Sequence, residues 1–160
     1  MGWVRPGTLA RTAAAVVGTA VAGGLATDPG SAWYRALRKP PWQPPPPAYG
    51  LVWTPLYADL AMASARALDG FAAAGRPAGR RAYRAALAAD LVLNAGWNVL
   101  FFRARRPWLA AAECAVLTAS AADLVRRTAA VDRRAALALA PYPAWCAFAT
   151  ALTVAIARRN

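Results

Sequence analysis

Histidine is absent from the 160-residue chain, acids number only seven against 19 lysines and arginines, and there are two cysteines. Without histidine, imidazole acid–base catalysis, the common zinc sites and a proximal histidine for haem are all excluded. The cysteines, Cys114 and Cys146, stand in separate apolar runs. They fit neither a CxxC metal pattern nor the disulfide framework of a small secreted protein, and are predicted to be small buried hydrophobes. No nucleotide-binding loop, catalytic triad or metal-ligand cluster is found in the sequence.

The shortage of acids leaves a net charge of +12, which in a soluble domain would point to nucleic acid. Here the cations are nearly all arginines gathered between long apolar runs. That is the pattern of a membrane protein with basic loops, and it argues against nucleic acid as a partner. A soluble alanine-rich bundle is the other reading, given a mean hydropathy of +0.29; a hydrophobic content of 59% in uncharged stretches favours the membrane.

Five candidate spans can be drawn in a single domain, residues 1–160. The clearest is 135–157, which carries no charge and is flanked by Arg133-Arg134 and Arg158-Arg159. About 20 apolar residues cross the hydrocarbon core, and Pro141 and Pro143 predict a kink near its start. Next come 107–125 and 85–102, then 8–26, and finally 49–68, which Asp59 and Arg66 interrupt. The first is predicted to be a retained helix rather than a cleaved leader. The balance of basic residues favours a cytoplasmic N-terminus. Small residues at spacing four, Ala14/Gly18, Ala20/Gly24 and Ala82/Ala86, would permit close helix contact and a homodimer.

Polar and aromatic residues recur at helical spacing within these spans. Asp90, Asn94, Trp97 and Phe101 fall at steps of four, three and four and share one face. Trp53 and Tyr57 share another, as do Tyr142, Trp145 and Ala149, while Glu113, Ser120 and Asp123 fall on one side of the fourth span. Ionisable groups in a bilayer turn toward the bundle interior or water. Two readings stay open here: a polar, aromatic-lined pocket, or interhelical hydrogen bonds with interfacial aromatic belts.

Six of the 13 prolines fall within residues 40–47, in the stretch RKPPWQPPPP. Alone it reads as a polyproline linker or a ligand for another domain. In context, "WYRALRKPPWQPPPPAYGLVWTPLY" fits W-Y-x-x-L-x-K-P-x-W-x-P-P followed by V-W-x-x-L-Y. Leu93, Asn94, Trp97, Phe101 and Phe102 fit L-N-x-x-W-x-x-x-F-F. Glu113 approximates an acid of the fourth helix, and "PYPAWCAFATAL" fits P-Y-L-x-W-x-x-F-A-x-x-L. In this order the motifs resemble the translocator protein family, also called tryptophan-rich sensory proteins or peripheral-type benzodiazepine receptors. The resemblance covers residue 33 to the C-terminus. It departs at Thr153, where the family has asparagine, and in lacking the tyrosine of the sterol-associated motif.

The resemblance implies an all-α integral membrane bundle of five transmembrane helices, usually dimeric, with a proline- and tryptophan-rich loop between the first two. It implies a pocket that takes porphyrins, protoporphyrin IX or haem, as ligands, with no cofactor required. The ligand-binding residues it points to are Trp33, Trp42, Trp53, Tyr57, Asn94, Trp97, Trp145, Phe148 and Ala149. Arg38 and Lys39 would face porphyrin carboxylates. The alternative activity is light- and oxygen-dependent degradation of protoporphyrin IX, with Trp53 and Trp145 redox-active. The expected location is a bacterial cell membrane, and the alanine- and arginine-rich composition agrees with a bacterial source. The proline loop is predicted to form a stiff lid whose Trp42 points inward, since a preorganised loop loses little entropy on closing.

Overall fold

The computed structural model describes residues 4–160. Among them the chain is helical throughout: α1 (Pro6–Ala26), α2 (Ala32–Ala36), α3 (Pro46–Ala73), α4 (Pro77–Asn98), a π turn (Val99–Arg103), α5 (Pro107–Ala129), α6 (Arg133–Leu139) and α7 (Pro141–Ala157). Each long helix opens with proline at its first or second position. There the missing N–H is no loss and the fixed φ already suits a helix.

Among the described residues, four helical segments are long and apolar enough to cross a membrane: Pro6–Ala26, Pro77–Arg103, Pro107–Ala129 and Arg133–Ala157. The protein is a membrane protein. The sequence reading gives five spans, and α3 is not among these four although it is the longest helix, at 28 residues. The helices also run past the predicted boundaries. The connection predicted for 69–84 shrinks to a tight turn, because α3 continues to Ala73 and α4 restarts at Pro77. The Arg76 N–H reaches the Phe71 carbonyl (2.9 Å) and the Gly75 N–H reaches Ala72 (3.1 Å). Gly75 adopts φ 62°, so the turn is a Schellman motif with glycine in the left-handed position. The kink expected from Pro141 is present as the break at Ala140 between α6 and α7.

Polar side chains fasten the helices inside an apolar core of Leu56, Leu60, Leu87, Leu117, Leu124 and Leu139. Thr12 donates to the Ala61 carbonyl (2.9 Å), joining α1 to α3. The fully buried Tyr83 hydroxyl lies 3.3 Å from Ser64 Oγ and 3.0 Å from Thr128 Oγ1, joining α4 to α3 and α5. Thr27 donates to Asn98 Oδ1 (2.9 Å), and Arg103 donates to the Leu25 carbonyl (2.6 Å), closing the C-terminal end of α1. Cys114 and Cys146 are free and buried, as expected.

Asp132 caps α6 by accepting from the Ala135 N–H (3.0 Å) and pairs with Arg66 of α3 (2.7 Å). Burial opposes its ionisation, but the Ala135 N–H and the Arg66 guanidinium outweigh burial and hold its carboxyl below the ordinary range. A depressed carboxyl stabilises the fold at neutral pH and loses that contribution as pH falls through its lowered value. Asp132→Asn, which keeps a capping oxygen, is therefore expected to unfold earlier than wild type at neutral pH. The gap should close on acidification below about pH 4, the ordinary aspartate value, in thermal melts in detergent. Gly79 gives a steric test. A Cβ there would come 2.8 Å from Cδ1 and Cε1 of the buried Phe71 ring. Gly79→Ala should cost about 1–3 kcal/mol, and Gly7→Ala, with nothing within 4 Å of its Cβ, almost nothing.

Candidate functional site

A cavity of about 350 Å³ lies between α1, α3, α4, α5 and α7. Its walls come from helical spacing that turns small residues of α1 and large ones of α3, α4 and α7 inward. Gly23 and Gly24 leave room on the α1 side, and Trp53, Tyr57, Trp97, Phe101, Trp145 and Phe148 furnish aromatic faces. Trp97 stacks on Phe101 (centroids 5.2 Å, 11°) and Trp145 on Phe148 (5.0 Å, 27°). Trp53 stacks on Tyr57 (5.1 Å) and meets Trp145 edge-on (6.5 Å, 87°). Offset stacking and edge contacts of this kind hold aromatic rings in fixed orientations.

A hydrogen-bonded chain leads from the cavity wall into the core. Tyr57 donates to Asn94 Oδ1 (2.7 Å), Asn94 Nδ2 donates to the Tyr142 hydroxyl (3.1 Å), and Tyr142 donates to Asp90 Oδ2 (2.7 Å). Asp90 and Tyr142 are fully buried, and Asn94 is 4% exposed. One amide thus ties α3, α4 and α7 together. Two donors on the cavity wall have no such partner: the indole N–H groups of Trp97 and Trp145 are buried and unbonded within the protein. Glu113, on α5, has both carboxyl oxygens buried without a partner, one of them facing Gly96 of α4.

The π turn shapes the lower wall. The Ala104 N–H reaches the Val99 carbonyl (2.9 Å), five residues back, so one extra residue is accommodated and both Phe101 and Phe102 are buried. Such turns are rare and are found mostly at functional sites.

The cavity brings together Trp53, Tyr57, Asn94, Trp97, Trp145, Phe148 and Ala149 from the predicted set, and leaves out Trp33 and Trp42. Trp33 packs edge-on against Phe101 (5.5 Å) from outside. Trp42 is 47% exposed and rests its edge on Phe148 (5.9 Å), so the inward-pointing Trp42 is corrected. The loop turns Tyr34 and Gln43 inward in its place. Lys39 sets this arrangement: its ammonium donates to the Tyr34 carbonyl (2.7 Å) and sits over the Tyr34 ring (4.2 Å). Gln43 then donates to the Tyr34 hydroxyl (3.2 Å). The Arg38 backbone is held at both its N–H (2.9 Å) and its carbonyl (3.1 Å) by the Asn160 side chain. Neither Arg38 nor Lys39 faces the cavity. Leu152 and Thr153, one turn beyond Phe148 and Ala149 respectively, also line it; continuing the Trp145–Ala149 face would have found them.

Replacing Asn94 tests the central tie. Asn94→Leu removes two interhelical bonds and strands the Tyr57 hydroxyl, while Tyr142 keeps Asp90, which should lower stability by about 1–3 kcal/mol. Tyr57→Phe, which leaves Asn94 bonded to Tyr142, should cost less than half of that in the same thermal measurement.

Residues 11–159 match the sequence profile of the TspO/MBR family. The chain is 34% identical to the human translocator protein over 82% of its own length and 76% of the relative's. It is 30% identical to the tryptophan-rich protein TspO of Chlorobaculum tepidum, over 93% of this chain and 96% of that one. Against a tryptophan-rich sensory protein of Cereibacter sphaeroides the identity is 32%, covering 80% and 77%. With its apolar helices, tryptophan-lined cavity and near end-to-end match, this chain belongs to the TspO/MBR family of membrane proteins.

Proposed function

We propose that this protein binds a porphyrin, protoporphyrin IX or haem, in the aromatic cavity, and acts in tetrapyrrole sensing, regulation or transport. The observation that carries the reading is the pairing of stacked aromatic walls with two unpartnered indole N–H donors, at Trp97 and Trp145. A flat conjugated ligand has faces for the rings and acceptor atoms for the indoles. No cofactor is needed for such binding. The lid formed by Tyr34 and Gln43 covers the same space.

In this reading α3 supplies a fifth crossing. At 28 residues it extends about 42 Å; of its three charged residues Arg66 and Asp69 are bonded within the protein, and Asp59 is half-buried. The host membrane is a bacterial cell membrane, in keeping with the bacterial relatives. A homodimer would use the outer face of α1, where Gly18 has open space and Val17, Val21 and Leu25 are exposed.

A second reading, degradation of protoporphyrin IX under light and oxygen, is favoured by the edge-on contact of Trp53 with Trp145 beside the cavity. One experiment separates the two. Protoporphyrin IX added in the dark to protein in detergent should quench tryptophan fluorescence. Trp145→Ala should weaken binding about three- to tenfold, the worth of one aromatic pair. Ala149→Trp, which fills the cavity, should abolish it while the fold persists. Absence of quenching in wild type rejects both readings. A new absorbing product under light that vanishes in Trp53→Phe or Trp145→Phe selects degradation.

A further inference from the structure

A second concavity, of about 370 Å³, opens between α1, α3 and α4 at the opposite end of the bundle from the lid. Its upper rim is cationic, with Arg11 on α1 and Arg80 and Arg84 on α4; its lower wall is apolar, with Leu68, Leu87 and Leu91. The positions 80, 84, 87 and 91 form one helical stripe, so the charge-to-apolar gradient runs straight down a single face. From Arg80 to Leu91 that stripe covers about 16 Å, the depth of one leaflet's hydrocarbon, about 15 Å.

Three arginines in one groove repel each other unless something neutralises them. None of the three is ion-paired among the described residues. The acids nearby are committed elsewhere. Asp69 accepts from the Arg5 N–H (2.7 Å) and the Thr8 hydroxyl (2.8 Å), while Asp132 holds Arg66 and Asp123 holds Arg126 and Arg127. Arg80 is half-buried, with its Nε enclosed and without a hydrogen-bond partner. Enclosing a guanidinium N–H with no acceptor is costly, and an anion seated between the arginines would remove that cost. Guanidinium groups match phosphate oxygens in geometry.

We propose that this groove is a binding site for an anionic phospholipid, with the phosphodiester held by Arg11, Arg80 and Arg84 and an acyl chain laid along the exposed Ala15 and Ala88, over the buried Leu87 and Leu91. The end of the bundle that carries the groove also carries the larger share of the chain's cations. By the positive-inside rule it faces the cytoplasm, where the leaflet is anionic. A free phosphate would satisfy the arginines but leave the apolar wall unused. The site is separate from the aromatic cavity and does not depend on what that cavity binds.

The test uses full-length protein in an uncharged detergent, titrated with phosphatidylglycerol or with phosphatidylcholine of matched chains, and bound lipid is counted by native mass spectrometry. Phosphatidylglycerol should be retained at concentrations where phosphatidylcholine is not. Arg80→Gln/Arg84→Gln should weaken phosphatidylglycerol binding roughly thirtyfold, the effect of removing two cations at a membrane surface. Arg11→Gln, at an exposed side chain, should weaken it roughly fivefold and serves if the double variant does not fold. Arg158→Gln/Arg159→Gln, at the other end, should leave it unchanged. Equal retention of the two lipids, or equal loss in the Arg158/Arg159 control, overturns the proposal. Displacement of phosphatidylglycerol by an equal concentration of inorganic phosphate also overturns it, and makes the groove a free-anion site.

Discussion

An amide buried in a membrane bundle must find its hydrogen-bond partners within the protein, because hydrocarbon offers none. Asn94 does this with two tyrosines on two other helices. The rotation of α3, α4 and α7 about their own axes is thereby set in common. Trp53 lies one turn from Tyr57, Trp97 one turn from Asn94, and Trp145 one turn from Tyr142, so the same constraint aims all three indoles at one space. Apolar packing between alanine-rich helices, by contrast, is tolerant of rotation. A ring of leucines would leave the cavity's shape undetermined.

The lid obeys a related logic at the bundle's rim. Prolines restrict its backbone, yet restriction alone does not say which side chains face inward. That choice is made by Lys39, which occupies the Tyr34 carbonyl and ring, and by the pair of hydrogen bonds between the Arg38 backbone and the Asn160 side chain. A charged residue that reads as a contact for a ligand's carboxylates is thus consumed in building the wall. Preorganisation of this kind lowers the entropy lost on binding.

What the sequence made legible follows what its signals measure. Long apolar runs marked 107–125 and 135–157, which fall within Pro107–Ala129 and Arg133–Ala157, and helical spacing placed Asn94, Trp97, Trp145 and Ala149 on faces that do converge. Hydropathy missed the start of α4, because Arg80, Arg81 and Arg84 look like a loop although they form the first turns of a helix; Pro77 was the available signal. Trp42 turns outward because motif order says nothing about which way a loop residue points, and Trp33, on α2, packs against Phe101 outside the cavity lining. The burial of both Phe101 and Phe102 was out of reach for a different reason. Regular α-helical spacing turns adjacent residues about 100° apart, and only the π turn reconciles them.

The chain from Tyr57 to Asp90 has a direction. Each hydroxyl or amide gives its proton toward the core, so Tyr57 has none left to offer the cavity and presents only lone pairs there. The indoles of Trp97 and Trp145 present only protons. The polar groups of the cavity wall therefore divide, with a tyrosine left able only to accept and two enclosed indoles able only to give. A guest that fits its outline while carrying acceptors alone would satisfy the tryptophans and be refused at the tyrosine.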